Sequence, residues 1–135
     1  MADNNVKIFI AVIVLMLLGI TVTVIIRSNA TPAGPGKYDD FTMCLKDKGA
    51  VFYGAFWCPH CQAQKKLFGS SAKLLPYVEC STLDGQSQLP VCQAKNIEGY
   101  PTWDLADGTR LKNENDAGIT LETLSSKTGC VLPVE

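Results

Sequence analysis

Two cysteines separated by two residues are the part of this sequence best suited to chemistry. They lie in the motif Cys58-Pro59-His60-Cys61. At the start of a helix such a pair can close a small disulfide and reopen it, because the helix N-terminus and a protonated His60 both favour the Cys58 thiolate. A thiolate stabilised in this way is a good leaving group, so the oxidised pair passes its disulfide on readily. Pro59 is acceptable in a first helical turn, and Cys61 is predicted to be the resolving thiol.

Three other roles for the motif are less consistent with the sequence. The other four cysteines are isolated, at Cys44, Cys80, Cys92 and Cys130. A zinc site would need a second pair of closely spaced ligands. Covalent haem attachment needs a histidine directly after the second cysteine, where this chain has Gln62. A purely structural disulfide between Cys58 and Cys61 is also less consistent with the sequence, because structural disulfides usually close longer loops. We therefore predict a redox-active Cys58–Cys61 disulfide, with no metal and no separate cofactor.

An apolar run near the N-terminus predicts a membrane segment. In a chain of 135 residues, Ile8 to Ile26 carries no charged side chain. As a helix the run would span about 28 Å, close to the ~30 Å of a bilayer core. A cleaved signal peptide is the main alternative, since Ser28-Asn29-Ala30 offers small residues for cleavage. A buried core helix fits poorly because no polar face interrupts the run. We predict residues 1–27 as a membrane anchor or signal sequence.

The cysteine count indicates the side of the membrane on which the rest of the chain lies. Flanking charges are nearly balanced, with Lys7 and the amino terminus before the run and Arg27 and Lys37 after it. Six cysteines in the about 100 residues that follow indicate disulfides, and hence an oxidising compartment. We therefore expect a single-pass protein of the cell membrane with an extracytoplasmic C-terminal domain.

Composition divides the remaining sequence into a linker and one domain. Residues 28–37 are rich in proline, glycine and small polar residues and are predicted to form a flexible tether. Residues 38–135 have an ordinary soluble composition and the length of one domain. The net charge is −1, and Lys and Arg are scattered rather than clustered. We expect no nucleic-acid partner.

Hydrophobic periodicity and turn residues predict an alternating α/β domain. Helix signals lie at 38–48, 62–68, 89–96 and 120–127. Strand signals lie at 50–56, 74–80 and 100–105. Thr120 and Gly129 are expected to cap the last helix, and Asp107-Gly108 predicts a hairpin that continues with Arg110-Leu111. The continuous apolar run of 50–56 suits a central strand covered on both faces.

The tripeptide Tyr100-Pro101-Thr102 lies beyond the motif and opens a predicted strand. A proline there can simply end a loop. It can also follow a cis peptide bond, which would place an exposed backbone edge beside the cysteines. The residues alone leave both possibilities open.

Several separate blocks of the sequence resemble one known family. The apolar strand with Phe56-Trp57-Cys58-Pro59-His60-Cys61 and the later Tyr100-Pro101-Thr102 resemble the thioredoxin superfamily. The longer blocks 53–62, 67–69, 77–80 and 99–103 narrow the resemblance to the thioredoxin-like domain fused to bacterial vitamin K epoxide reductase homologues. The match extends from Phe41 to Lys127.

The resemblance implies a fold and a set of site residues. The fold is the α/β thioredoxin fold, a central mixed β-sheet flanked by helices, here preceded by one N-terminal transmembrane helix. Cys58 is implied as the nucleophile, Cys61 as the resolving thiol and Pro101 as a cis-proline. Substrate binding is implied for Trp57, Tyr100, Pro101 and Thr102.

The remaining cysteines also receive roles from the resemblance. Cys80 and Cys92 flank a short loop and are implied as a structural disulfide. Cys44 and Cys130 would then connect the first helix of the domain to its C-terminal end. In the chain-entropy model, this disulfide would stabilise the folded domain by about 4–5 kcal/mol. In the alternative, one of these pairs carries electrons to or from the motif.

Oxidative protein folding in the cell envelope is the function that the resemblance implies. Reduced or misoxidised envelope proteins would be substrates, and electrons would pass to a separate membrane redox partner, such as a vitamin K epoxide reductase homologue. The Pro59-His60 dipeptide is shared with the strongly oxidising DsbA proteins, whereas thioredoxin carries Gly-Pro. We expect a dithiol oxidase that introduces disulfides into exported proteins. The alternatives are a reductase or isomerase, and a non-catalytic peptide-binding module.

Two features depart from the family pattern. Thioredoxin and protein disulfide isomerase have a buried acidic residue six positions before the first active cysteine, where this chain has Phe52. A buried carboxylate can take the proton of the resolving thiol, so this departure argues against efficient reducing turnover. The multi-helix reductase domain of the fused homologues is also missing, and we expect a reoxidising partner to be encoded separately.

Overall fold

The structure, a computed structural model, describes residues 2–28, 34–113 and 118–134. The chain divides between Gly34 and Pro35 into two compact units. Helix α1, Ala2–Ser28, belongs to the first unit. Its stretch Val6–Thr23 is long and apolar enough to cross a membrane, and none of it is buried; a signal sequence has the same properties. Residues 29–33 of the predicted tether lie outside the described residues.

A four-stranded mixed sheet forms the centre of the second unit. The strands are β1 Val51–Gly54, β2 Tyr77–Glu79, β3 Thr102–Asp104 and β4 Arg110–Lys112, in the order β2-β1-β3-β4. β1 is parallel to β2 and antiparallel to β3, which pairs antiparallel with β4. β1 is thus a central strand, as its apolar run predicts, and its last three residues are buried.

Short helices connect and flank these strands. They are α2 Asp39–Asp47, α3 Pro59–Leu67, a 3-10 helix Gly69–Leu74, α4 Pro90–Gln93 and α5 Leu121–Thr128. The 3-10 helix is not predicted, because its opening Gly-Ser-Ser sequence is typical of a loop. Helix α3 begins at Pro59, directly after Cys58, as predicted from the motif, because the fixed φ of proline suits a first helical position.

Aromatic stacking joins the sheet to its helices. Phe52 of β1 stacks on Trp103 of β3 with ring centroids 5.0 Å apart. Phe68, directly after α3, lies 6.2 Å from Trp103 and 6.1 Å from Phe41 of α2. All four side chains are buried, so this stack holds β1 and α3 against one core.

Both predicted caps of α5 are confirmed. The Thr120 hydroxyl accepts a hydrogen bond from the Thr123 N–H at 3.2 Å. Gly129 ends the helix with φ +72°, which glycine adopts without steric cost. The next residue, Cys130, forms a disulfide with Cys44 of α2.

A second disulfide joins Cys80, which follows β2, to Cys92 of α4. The structure thus contains the two pairs that the resemblance implies. They close chain segments of very different length, with sequence separations of 86 for Cys44–Cys130 and 12 for Cys80–Cys92.

The two disulfides should differ in how much they stabilise the fold. In the chain-entropy model, closing these loops contributes about 4.6 and about 2.8 kcal/mol, the larger value for Cys44–Cys130. We expect the Cys44→Ala/Cys130→Ala variant to lose about 2 kcal/mol more free energy of unfolding than Cys80→Ala/Cys92→Ala. Urea titrations of the detergent-solubilised full chain measure both losses. A larger loss at the short loop would contradict the expectation.

Candidate active site

The end of β1 and the start of α3 position the two thiols of the motif. The backbone turns after β1, and the Ala55 carbonyl accepts the N–H of Cys58 at 3.0 Å. Cys58 is the N-cap of α3, and its carbonyl accepts a hydrogen bond from the Gln62 N–H at 3.1 Å. Pro59 takes the first helical position. Cys58 therefore lies at the positive end of the helix dipole, which favours a thiolate.

Both motif cysteines are free thiols, but their surroundings differ. Cys58 is 5% exposed, and its Sγ donates to the Tyr100 carbonyl at 3.8 Å. The Tyr100–Pro101 peptide bond is cis, as the resemblance implies. His60 is half-buried in the first turn of α3. Cys61 is fully buried.

Cys61 lies against the end of β1. Burial is the main reason why the pKa of its thiol is raised to about 12, while the Ala55 backbone and the Lys65 charge act in the opposite direction. A Cβ on Gly54 would lie 2.8 Å from the Cys61 Sγ and 2.9 Å from the Cε2 atom of Tyr77. Glycine is therefore required at this position for the sulfur to reach its place.

Two aromatic side chains flank the motif. Trp57 is 52% exposed, and its ring meets that of Tyr100 edge-on with centroids 6.3 Å apart. The Trp57 Nε1–H donates to the Ser81 hydroxyl at 2.8 Å, and the Gln88 amide donates to the Tyr100 hydroxyl at 2.8 Å. Ser81 and Gln88 both lie in the loop closed by Cys80–Cys92. This loop therefore orients both aromatic side chains.

Sequence reasoning missed Ser81 and Gln88. The position of Ser81 in the sequence could have indicated its role. Ser81 follows the carboxyl end of β2, and the parallel strands β1 and β2 end at the same edge of the sheet, where the motif begins. For Gln88 there was no such indication, since its contact with Tyr100 depends on the path of the intervening loop.

The other two residues of the implied substrate site are buried. Pro101 is fully buried, and Thr102 donates its hydroxyl to the Gly99 carbonyl at 2.8 Å. Thr102 therefore supports the turn from within the fold. The accessible side chains of the implied site are those of Trp57 and Tyr100.

The other cysteines and the acidic residues do not assemble a second centre in the part of the chain that the structure describes. No group of three or more His, Cys, Asp or Glu side chains there could hold a metal ion. Cys80, Cys92 and Cys130 are buried, which favours a structural role for both disulfides over electron transfer to the motif.

Comparison with known proteins agrees with this geometry. The family model described as Thioredoxin matches residues 36–128. The chain belongs to the thioredoxin family. It is also 48% identical over 89 residues to the thiol-disulfide oxidoreductase LTO1 of Arabidopsis thaliana. That alignment covers 63% of this chain and 22% of LTO1, so the chain spans a minor part of this relative's length.

Thiol–disulfide exchange is the chemistry that the paired thiols of this thioredoxin domain support. Cys58 retains access to solvent and is placed to react first, whereas the buried Cys61 is placed to complete the exchange. The mixed sheet with flanking helices and the family match confirm the predicted thioredoxin fold. The narrower resemblance to domains fused to vitamin K epoxide reductase homologues stays a prediction.

Only one motif thiol should react with an alkylating reagent near neutral pH. With a pKa of about 12, Cys61 is ionised in about one molecule in 10,000 at pH 8. Between about pH 6 and 9 we expect iodoacetamide to modify Cys58 and not Cys61 in the reduced chain, because the Cys61 thiolate forms only as the pH approaches 12. Peptide mass spectrometry measures the labelling of each cysteine. The Cys58→Ala variant is the control, and we expect it to remain unlabelled. Similar labelling of both cysteines would show that Cys61 is not protected.

A side chain at Gly54 should disturb both stability and exchange. The methyl group of Gly54→Ala would overlap the Cys61 Sγ and the Tyr77 ring, and such overpacking costs about 1–3 kcal/mol. We expect a loss of that size in the free energy of unfolding and slower exchange with a small disulfide. Gly34→Ala, where nothing lies within 4 Å of the new methyl group, is the control. Equal behaviour of the two variants would mean that the contact is not tight.

Proposed function

We propose that the protein is a membrane-anchored thiol–disulfide oxidoreductase that works as a dithiol oxidase on exported proteins. The observation that carries the proposal is the place of Cys58 at the N-cap of α3, with His60 in the first helical turn. Both features favour the Cys58 thiolate and therefore the reduced state of the pair. A pair whose reduced state is stabilised passes its disulfide to other thiols. The similarity to the thiol-disulfide oxidoreductase LTO1 supports the same class of activity.

The proposed reaction moves two electrons from the substrate to the motif. One substrate thiolate attacks the Cys58 sulfur, the Cys58–Cys61 bond breaks, and Cys61 leaves. The second substrate thiolate then attacks the substrate sulfur of this mixed disulfide and releases Cys58. The protons of the substrate thiols pass to Cys61 and to solvent. A membrane redox partner removes the two electrons and restores the disulfide.

The proposed location is the outer side of the cell membrane. Two structural disulfides favour an oxidising compartment, and the apolar Val6–Thr23 stretch is long enough to serve as a single-pass anchor. Envelope proteins in the reduced or misoxidised state would be the substrates, docking beside Trp57 and Tyr100. The partner proposed for reoxidation is a vitamin K epoxide reductase homologue, on the resemblance of the blocks 53–62 and 77–80.

The reduction potential of the Cys58–Cys61 pair distinguishes an oxidase from a reductase. DsbA has a potential of about −120 mV and thioredoxin of about −270 mV. In glutathione buffers we expect the full chain to lie closer to DsbA, and His60→Ala to move the potential by about 30 mV or more towards that of thioredoxin. A value near that of thioredoxin would favour the reductase or isomerase.

Oxidation of a reduced, unfolded substrate protein provides the matching activity assay. Wild-type protein should form disulfides in the substrate, and Cys58→Ser should not, because it removes the sulfur that substrate attacks. A Cys58→Ser/Cys61→Ser variant that keeps full function would instead identify a peptide-binding module.

A further inference from the structure

Each time the motif disulfide closes, Cys61 must lose a proton, and each time it opens a proton must return. The position where other thioredoxins carry a buried acid is filled here by Phe52, which is fully buried and packs edge-on against Tyr77 with ring centroids 5.1 Å apart. We propose that Tyr77 and Glu79, both on the neighbouring strand β2, form the proton-exchange pair of Cys61.

Because Gly54 has no side chain, there is room for Tyr77 to lie close to the Cys61 thiol. The point where a Gly54 Cβ would lie is 2.8 Å from the Cys61 Sγ and 2.9 Å from the Tyr77 Cε2 atom, so both atoms border the same small space. Cε2 adjoins the ring carbon that bears the hydroxyl, which places the hydroxyl at the same end of the ring. The parallel register also pairs Gly54 with Glu79, so thiol, phenol and carboxylate gather at one end of the strand pair.

Glu79 holds the Tyr77 hydroxyl in place. The hydroxyl donates to Glu79 Oε2 at 2.7 Å. The other carboxylate oxygen accepts the N–H of Phe56 at 3.2 Å and the N–H of Ser81 at 2.9 Å. These bonds orient the carboxylate, while its half-buried position leaves it able to exchange protons with solvent.

The titratable groups around Tyr77 are consistent with a role of its hydroxyl in proton transfer. Burial and the hydrogen bond to Glu79 raise the pKa of Tyr77, so its hydroxyl stays protonated at physiological pH. Lys65, one turn after Cys61 on α3, places its Nζ 3.5 Å from the centroid of the Tyr77 ring and lowers the pKa of Cys61. Besides Glu79, the titratable groups that the described part of the chain places against Tyr77 are Cys61, Cys58 and Lys65.

The proposed step balances with any small disulfide as the oxidant. Cys58 first forms a mixed disulfide and releases one thiolate of the reagent. The Cys61 proton passes through the Tyr77 hydroxyl to Glu79 as the Cys61 sulfur attacks the Cys58 sulfur. The second thiolate of the reagent leaves and takes a proton from solvent, and Glu79 returns its proton to solvent. The proposal rests on disulfide exchange at the motif but not on its direction, since the same steps run in reverse.

The lifetime of a mixed disulfide with glutathione tests this route. The reduced full chain in detergent is mixed with oxidised glutathione, quenched with acid at intervals and analysed by mass spectrometry between about pH 6 and 9, where free solvent base is scarce. We expect Glu79→Gln to resolve the adduct at least about 10-fold more slowly at pH 7, because it removes the acceptor. Its rate should then rise about tenfold per pH unit, since hydroxide is the remaining base. Tyr77→Phe keeps the ring and should show the same change.

Three comparisons make the result decisive. Glu122→Gln removes an exposed carboxylate of α5 and should resolve the adduct like the wild type. Wild-type rates and pH profiles in both Glu79→Gln and Tyr77→Phe would overturn the proposal. Slower resolution with an unchanged pH profile would also overturn it, because a purely structural role has that effect. The Cys61→Ala variant tests exchange itself: if it accumulates no glutathione adduct, disulfide exchange at the motif is refuted. This result differs from a failure of the proton route alone.

Discussion

The burial of Cys61 against the end of β1 is the constraint on which the rest of the site depends. Gly54 leaves the space that the sulfur occupies, and α3 begins close by, at the N-cap Cys58. Burial in an apolar setting keeps Cys61 protonated, because the thiolate would lose its hydration. Cys58 lies at the positive end of the dipole of α3, which favours the opposite state. One helical turn thus separates a sulfur placed to react from a sulfur held neutral.

The loop closed by Cys80–Cys92 acts on the same site from its exposed side. It reaches Trp57 through Ser81 and Tyr100 through Gln88. These hydrogen bonds orient both rings in the free protein, so the proposed docking of a substrate beside them would cost less side-chain entropy. The burial of the Cys80–Cys92 disulfide favours a structural role. The disulfide nevertheless contributes to the redox site, because the loop that it closes orients the two rings.

Local signals account for the parts of the fold that the sequence predicts well. The central strand and the Thr120 and Gly129 caps of α5 depend on residues a few positions apart. The apolar run 50–56 predicts a longer strand than β1, which ends at Gly54, because the run continues into the turn where the Ala55 carbonyl accepts the Cys58 N–H. The disulfide pairs followed only from the family resemblance. The grouping of Tyr77 with Cys61 depends on the register of two distant strands, which no local pattern contains.

Phe52 and Glu79 can be understood as one rearrangement of the usual site. A carboxylate buried at the Phe52 position would be costly unless it were paired, whereas the aromatic ring extends the stack with Trp103. The acid lies instead at Glu79, which is half-buried and accepts hydrogen bonds from Tyr77 and from two backbone N–H groups. Tyr77 then spans the distance that separates the carboxylate from Cys61. In this arrangement the core keeps its apolar packing, and proton exchange at the resolving thiol no longer requires a charge inside it.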